Sequence, residues 1–167
     1  MPTIRQAVPA AVPMLLPLVE AYWRFEDLPG FRADRVAASL TQLLAEPRLG
    51  AGWIATQDGD AAGDLLAVYV FSLEHLGLTA EIDEFFVVPG ARGRGTGAAL
   101  LRTAESAFRR AGCGNVSLQL GRHNAAARAW YHQHGYAERS GYELLDKTLH
   151  RSAPAAAEEP DPGVGHP

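Results

Sequence analysis

The stretch Glu81–Arg102, EIDEFFVVPGARGRGTGAALLR, decides the fold, because it predicts a strand, a tight loop and a helix in immediate succession. Pro89 cannot donate to a ladder and should end the strand. The strand is rich in β-branched and aromatic residues, which suit a pleated and buried element: Ile82, Phe85, Phe86, Val87 and Val88. After the loop, apolar residues recur at helical spacing: Ala98, Leu100, Leu101, Ala104, Ala107 and Phe108.

The loop between them contains three glycines, which let the backbone approach a ligand closely: Gly93, Gly95 and Gly97. A helix that starts inside such a loop presents unpaired N–H groups and the positive end of its dipole, so it favours a phosphate. Arg92 and Arg94 add positive charge beside it.

Two other phosphate-binding motifs compete for this loop. Gly93, Gly95 and Ala98 also fit the dinucleotide pattern G-x-G-x-x-G/A, but that site needs an acid at the end of the next strand for the ribose. The next predicted strand is Asn115–Leu120, NVSLQL, which contains no acid. A Walker loop needs Lys and Ser/Thr after its last glycine, and both are missing here.

The run Arg92-Gly93-Arg94-Gly95-Thr96-Gly97, led by Val87-Val88-Pro89, resembles motif A of the GNAT superfamily of acetyl-CoA-dependent N-acetyltransferases. The resemblance implies that this loop and Ala98 hold the pyrophosphate of coenzyme A. It also implies that the preceding strand opens at a bulge and that its backbone, with Phe85, Phe86 and Val87, pairs with the pantetheine arm.

A second motif lies in Asn124–Tyr136, where Asn124 suits a helix N-cap and Gly135 suits the helix end. Taken alone, the pattern also fits a plain capped helix. Beside the first motif it resembles GNAT motif B, which implies that Asn124 binds the coenzyme A arm and that Tyr131 lies near the thioester sulfur. A phenol is protonated at neutral pH, so Tyr131 could serve as the general acid for the leaving thiolate.

Three acids at the start of the strand that begins at Glu81 are candidates for the general base. Glu81 aligns with the base of some relatives, and Asp83 and Glu84 are the alternatives; a solvated strand end explains all three equally well. Strand alternation places Glu81 and Asp83 on one face and Glu84 on the other, unless a bulge intervenes. Other relatives carry a base on the following strand, but the aligned residue here is Gln119, which cannot serve.

The resemblance implies that the acceptor pocket lies at the end of the first predicted helix, Ala10–Glu26. The candidates there are Tyr22, Trp23, Phe25 and Glu26, and core packing is the alternative for the three aromatics. Together, the two motifs predict an N-acetyltransferase that transfers the acetyl group of acetyl-CoA to a primary amine of a small molecule. The alternative is a coenzyme A-binding regulatory module without turnover. Neither the acceptor's identity nor the oligomeric state follows from the sequence, and a homodimer stays open.

Composition narrows the class of protein. The chain has 167 residues and a formal net charge of −4, and it lacks a basic stripe, so we expect no nucleic-acid or membrane partner. Cys113 is the single cysteine and the histidines show no ligand spacing, so no metal is expected. Without a signal peptide or a membrane-length apolar run, a cytoplasmic location is expected.

The remaining elements predict an α/β fold with an α+β-like mixed sheet. Strands at 53–56 and 65–72 should be joined by a turn at 58–64, and 137–145 should pair with 147–149. The resemblance implies a GNAT fold, with a central, mostly antiparallel, twisted sheet of six to seven strands and helices on both faces. We expect a single domain at 1–151 and a disordered tail at 152–167.

Overall fold

The structure, a computed structural model, describes residues 1–149. Within these residues the chain divides into two compact units, Met1–Arg122 and the part that begins at His123. The predicted tail and the predicted domain end at residue 151 lie outside the described residues.

Five strands and four α-helices make up the described part of the chain. They run in the order β1 Thr3–Gln6, α1 Val12–Phe25, α2 Ala33–Ala45, β2 Gly50–Gln57, β3 Asp60–Ser72, β4 Gly77–Val87, α3 Thr96–Arg110, β5 Val116–Leu118 and α4 Ala125–Gln133, with short 3₁₀ turns at Pro9–Ala11 and Pro89–Ala91. The strands form one mixed sheet in the order β1-β2-β3-β4-β5. The first three pairings are antiparallel, and β4 pairs with β5 in parallel.

The prediction of six to seven strands is wrong for the described residues, because 137–145 and 147–149 form no strand. Apolar side chains there stay largely in solvent, with Tyr142 69%, Leu144 69%, Leu145 89% and Leu149 76% exposed. Without apolar burial, nothing offsets the entropy lost when a segment is ordered into a strand.

The predicted turn at 58–64 is also too long. Asp58 and Gly59 alone form it, with φ of 54° and 94°, and Gln57 pairs directly with Asp60. Two residues with positive φ give the tight hairpin turn that matches strand twist, and Asp-Gly is a favoured sequence for it. Consequently β3 begins at Asp60, and Asp64 lies inside a strand rather than in a turn.

Helices cover both faces of the sheet. Trp53 of β2 packs edge-on against Phe108 of α3, with ring centroids 5.4 Å apart. Its neighbour Ile54 belongs to a buried cluster with Leu15 of α1 and Leu40 of α2. Because successive strand residues point to opposite faces, α3 covers one face while α1 and α2 cover the other.

A bulge interrupts the pairing of β3 with β4. Leu66 lies opposite Glu84 and Ala67 opposite Ile82, so Asp83 is the extra residue on β4. An extra residue reverses the alternation beyond it. Glu81, opposite Val68, and Glu84, opposite Leu66, therefore share the face that α1 and α2 cover, although they are three residues apart.

Candidate active site

The glycine-rich loop turns sharply into α3. Gly93 and Gly95 have φ of 70° and 82°, which is the left-handed region, and a Cβ added at either position would meet no atom within 4 Å. No side chain caps the N-terminus of α3, and its first turn contains no acid. The loop therefore combines open space with an uncapped helix N-terminus, as an anion site requires.

Two further side chains define this loop. The Thr96 hydroxyl is buried and has no hydrogen-bond partner among the described residues. The Arg92 Nε donates to the Val87 carbonyl at 2.8 Å, and its guanidinium lies 5.1 Å from the Phe25 ring centroid and 5.5 Å from that of Phe86. Arg92 thus joins the loop to α1 and β4, and the unpartnered hydroxyl leaves a polar atom for a bound group.

The sheet opens beside the loop. The ladder between β4 and β5 ends at the pair Ile82–Leu118, while β4 continues to Val87. The bulge at Asp83 lies just past this point. A bulge followed by the loss of a neighbouring strand is the arrangement that the resemblance predicted.

Glu84 is held against the end of α1. The indole Nε1 of Trp23 donates to Glu84 Oε1 at 2.9 Å, while Oε2 is buried and has no partner among the described residues. Burial raises the pKa of Glu84 to about 7, the Trp23 bond lowers it, and the charge of Asp83 adds to the rise. A carboxylate with this pKa can take up and release a proton in the neutral range.

The other two predicted acids differ from Glu84. Glu81 Oε1 accepts a hydrogen bond from Gln119 Nε2 at 3.0 Å, so the residue that cannot act as a base holds this acid in place. Asp83 reaches the surface, yet neighbouring atoms displace part of its hydration, and this desolvation raises its pKa; the charge of Glu81 contributes further.

Asp64 is the site residue that the sequence analysis missed. Its side chain is 0% exposed, and neither carboxylate oxygen has a hydrogen-bond partner in the described part of the chain. Burial first, and then the charge of Glu84, raise its pKa well above the ordinary value. The Asp58-Gly59 dipeptide was the signal that could have placed this residue inside a strand.

The predicted pocket residues at the end of α1 gather near these acids. Trp23 contacts Glu84 and also packs edge-on against Phe31, at 5.5 Å between centroids, and Phe25 lies 6.3 Å from Phe86. The pKa of Tyr22 rises to about 12, because of burial first and then because of nearby carboxylates. The carboxylates are Glu26, Glu84, Asp83 and Asp64.

The second unit carries the other predicted motif. Asn124 caps α4, where its Oδ1 accepts from the Ala127 N–H at 3.0 Å, as predicted. Tyr131 is partly buried, and its ring lies 5.2 Å from Trp130 and 5.3 Å from Tyr136. Gly135 has φ of 87° just after the helix.

Among residues 1–149, no three side chains of the metal-binding types come together as a metal site. A search of the same residues finds no helix with the length and apolar character needed to cross a membrane.

Comparison with known proteins gives a consistent result. The model of the acetyltransferase (GNAT) family matches residues 15–136. The uncharacterized N-acetyltransferase YhfO of Bacillus subtilis (strain 168) is 30% identical over 143 residues, which cover 83% of this chain and 92% of that protein.

Solved structures share the fold. An integron cassette protein from the mobile metagenome of Cole Harbour Salt Marsh superposes with a TM-score of 0.78 at 28% identity, covering 89% of this chain and 91% of that one. A predicted acetyltransferase from Clostridium acetobutylicum, solved with acetyl-CoA, gives 0.74 at 15% identity, covering 87% and 96%. The chain therefore belongs to the GNAT family and is an acyltransferase of the acetyl-CoA-dependent class.

Proposed function

We propose that this protein is an N-acetyltransferase that transfers the acetyl group of acetyl-CoA to a primary amine of a small molecule, by direct attack in a ternary complex. The observation that carries the proposal is Glu84, a half-buried carboxylate held by Trp23 with a pKa near 7. An amine in neutral water is mostly an ammonium ion, which must lose a proton before it can attack. A base whose pKa lies near the working pH is suited to that task.

The residues present fit coenzyme A. Uncapped N–H groups at the start of α3, open space at Gly93 and Gly95, and the unpartnered Thr96 hydroxyl suit a pyrophosphate. The further residues that would hold the cofactor are those of the family motifs: Phe85, Phe86, Val87, Arg92, Arg94, Gly97, Ala98, Asn124 and Tyr131. When bound, acetyl-CoA supplies the acetyl group as a thioester.

Glu84 is assigned as the base in preference to Glu81. Burial raises the pKa of Glu84 to about 7, and its Oε2 has no hydrogen-bond partner among the described residues. The Glu84 side chain reaches from β4 to α1, where Tyr22, Trp23 and Glu26 surround the space proposed for the acceptor. The carboxylates of Glu84 and Glu26 would also attract a cationic amine.

Two protons must move, and each has a proposed carrier. A Glu84 oxygen takes the proton that the acceptor ammonium loses. Tyr131 Oη holds the proton that the departing sulfur needs, since a phenol remains protonated at neutral pH. Most of the remaining rate enhancement would come from holding the two reactants together.

Thiol release from acetyl-CoA over a panel of amines tests the proposal. The panel should contain diamines, amino sugars, amino-acid amides and peptides with free N-termini, each scored for acetylated product by mass. We expect at least one small amine to give a rate well above hydrolysis. If acetyl-CoA raises the melting temperature but no amine is acetylated, the protein is a binding module without turnover. A peptide-only response would contradict the small-molecule acceptor.

A further inference from the structure

Among residues 1–149, three buried carboxylate oxygens on the sheet face that α1 and α2 cover have no hydrogen-bond partner. They are both oxygens of Asp64 and the Oε2 of Glu84. An ionised carboxylate that is removed from water without a hydrogen-bond donor is strongly unfavourable. The two acids must therefore reduce this cost, either by a hydrogen bond between them or by protonation of one of them.

The strand register makes Asp64 and Glu84 diagonal neighbours. Asp64 lies opposite Phe86, and Leu66 lies opposite Glu84, with no bulge between these two pairs. Residues two apart on a strand share a face, so both carboxyl groups project toward α1 and α2. Diagonal neighbours on one face lie about 7–8 Å apart, a gap that an aspartate and a glutamate side chain can bridge together. The charge of Glu84 acts on the buried Asp64 carboxyl, in agreement with this proximity.

The groups facing Glu84 are largely acidic or neutral. Trp23 on α1 gives its N–H to Oε1, and the Arg92 guanidinium packs on the ring of Phe86. The other titratable groups around this cluster are Tyr22 and Glu26 on α1, Asp64 on β3, and Glu81 and Asp83 on β4.

We propose that Asp64 and Glu84 share a single proton once Glu84 has ionised, with Asp64 protonated and donating its O–H to the buried oxygen of ionised Glu84. Each oxygen of Glu84 then has a donor, the Trp23 N–H on one and the Asp64 O–H on the other. Asp64 is thus a positioning residue that keeps the base ionised and oriented. The effect of Asp64 on catalysis rests on the proposed role of Glu84 as the base.

The order of ionisation agrees with this arrangement. Burial and the charge of Glu84 raise the pKa of Asp64 well above its usual range, whereas that of Glu84 is about 7. Glu84 therefore loses its proton first, and Asp64 keeps its own while Glu84 is ionised. The two groups titrate as a coupled pair.

Infrared spectroscopy of the protein without acetyl-CoA tests the shared proton directly. At about pH 8.5, more than a unit above the pKa of Glu84, ordinary carboxyl groups are ionised. We expect the parent to retain the carbonyl stretch of one un-ionised carboxylic acid. Asp64→Asn should lose that band and Glu84→Gln should keep it. A spectrum in which Asp64→Asn removes no such band overturns the proposal.

The pH dependence of kcat/KM tests the positioning role. In Asp64→Asn a side chain of similar size offers an amide N–H in place of the O–H. The fall in kcat/KM at low pH should therefore occur at the parental pH. Asp64→Leu has no donor, so that fall should move upward by roughly one to two pH units. A downward shift in Asp64→Asn would show that the parent residue is charged, and a uniform loss in Asp64→Leu without any shift would show a merely structural role. Either result contradicts the proposal.

These measurements distinguish a failure of the shared proton from a failure of the proposed base. If Asp64→Leu does not fold, the infrared band and the Asp64→Asn profile still decide the question. If the band is present but Glu84→Gln keeps full activity, the proposed base is wrong while the shared proton stands.

Discussion

Replacing Trp23 with phenylalanine should move the low-pH fall of kcat/KM to higher pH. The substitution removes the N–H that donates to Glu84 Oε1 at 2.9 Å, and this bond is what lowers the pKa of that carboxyl from an even higher value. A hydrogen bond to a charged group is worth about 1.5–3 kcal/mol, which corresponds to roughly one to two pH units.

The effect on rate depends on pH in a defined way. With a parental pKa of about 7, the ionised fraction of Glu84 at pH 6 should fall by about tenfold to hundredfold in the variant. Well above pH 9 both proteins carry an ionised Glu84, so their rates should converge. Thiol release from acetyl-CoA, measured with one accepted amine from pH 5.5 to 10, provides the profile.

Phe31→Leu is the matched control for this experiment. It removes the edge-on ring contact with Trp23 but leaves the indole N–H in place. Its low-pH fall should stay at the parental position, even if stability drops. A Trp23→Phe profile that coincides with the parent at low pH would refute the reasoning, because the bond would then have no influence on the base.

Three further predictions concern the glycine-rich loop, the proposed acid and the core. Gly95→Ala should weaken coenzyme A binding in calorimetry, whereas Gly112→Ala should not; both have φ near 82–83°, so both should lose about 1–2 kcal/mol of stability. Equal affinities would remove the loop from the binding site. Tyr131→Phe should lower kcat by roughly 10²-fold with little change in coenzyme A affinity, and an unchanged kcat would exclude the phenol as the acid. Phe108→Ala should cost about 3–5 kcal/mol in urea unfolding, because the ring is 1% exposed. The control Phe71→Ala, at a site 72% exposed, should cost little.

Local patterns were sufficient for the elements that we propose bind the cofactor. The apolar run and the glycines that follow it predicted β4, the loop and α3, since each signal lies within a few residues of the element it specifies. Asn124 as the cap of α4 followed from the same kind of short-range chemistry.

The arrangement of the acids could not be predicted in the same way. Their common face depends on the bulge at Asp83, and a two-residue alternation carries no information about where such an irregularity falls. The bond between Trp23 and Glu84 joins residues 61 apart, so only the packed fold brings them together. Asp64 was missed because its place inside a strand depends on the length of the turn at Asp58-Gly59, which ends five residues earlier.

The most direct test of the central claim is the pH profile of amine acetylation in Glu84→Gln. Glutamine keeps the size of the side chain and its bond with Trp23 but cannot accept the ammonium proton. We expect a loss of roughly 10²-fold or more at pH 7 that shrinks as the pH approaches the pKa of the amine, where free amine is abundant. Glu81→Gln, the matched control, should stay close to the parent throughout. A Glu84→Gln enzyme that matches the parent at every pH would contradict the account.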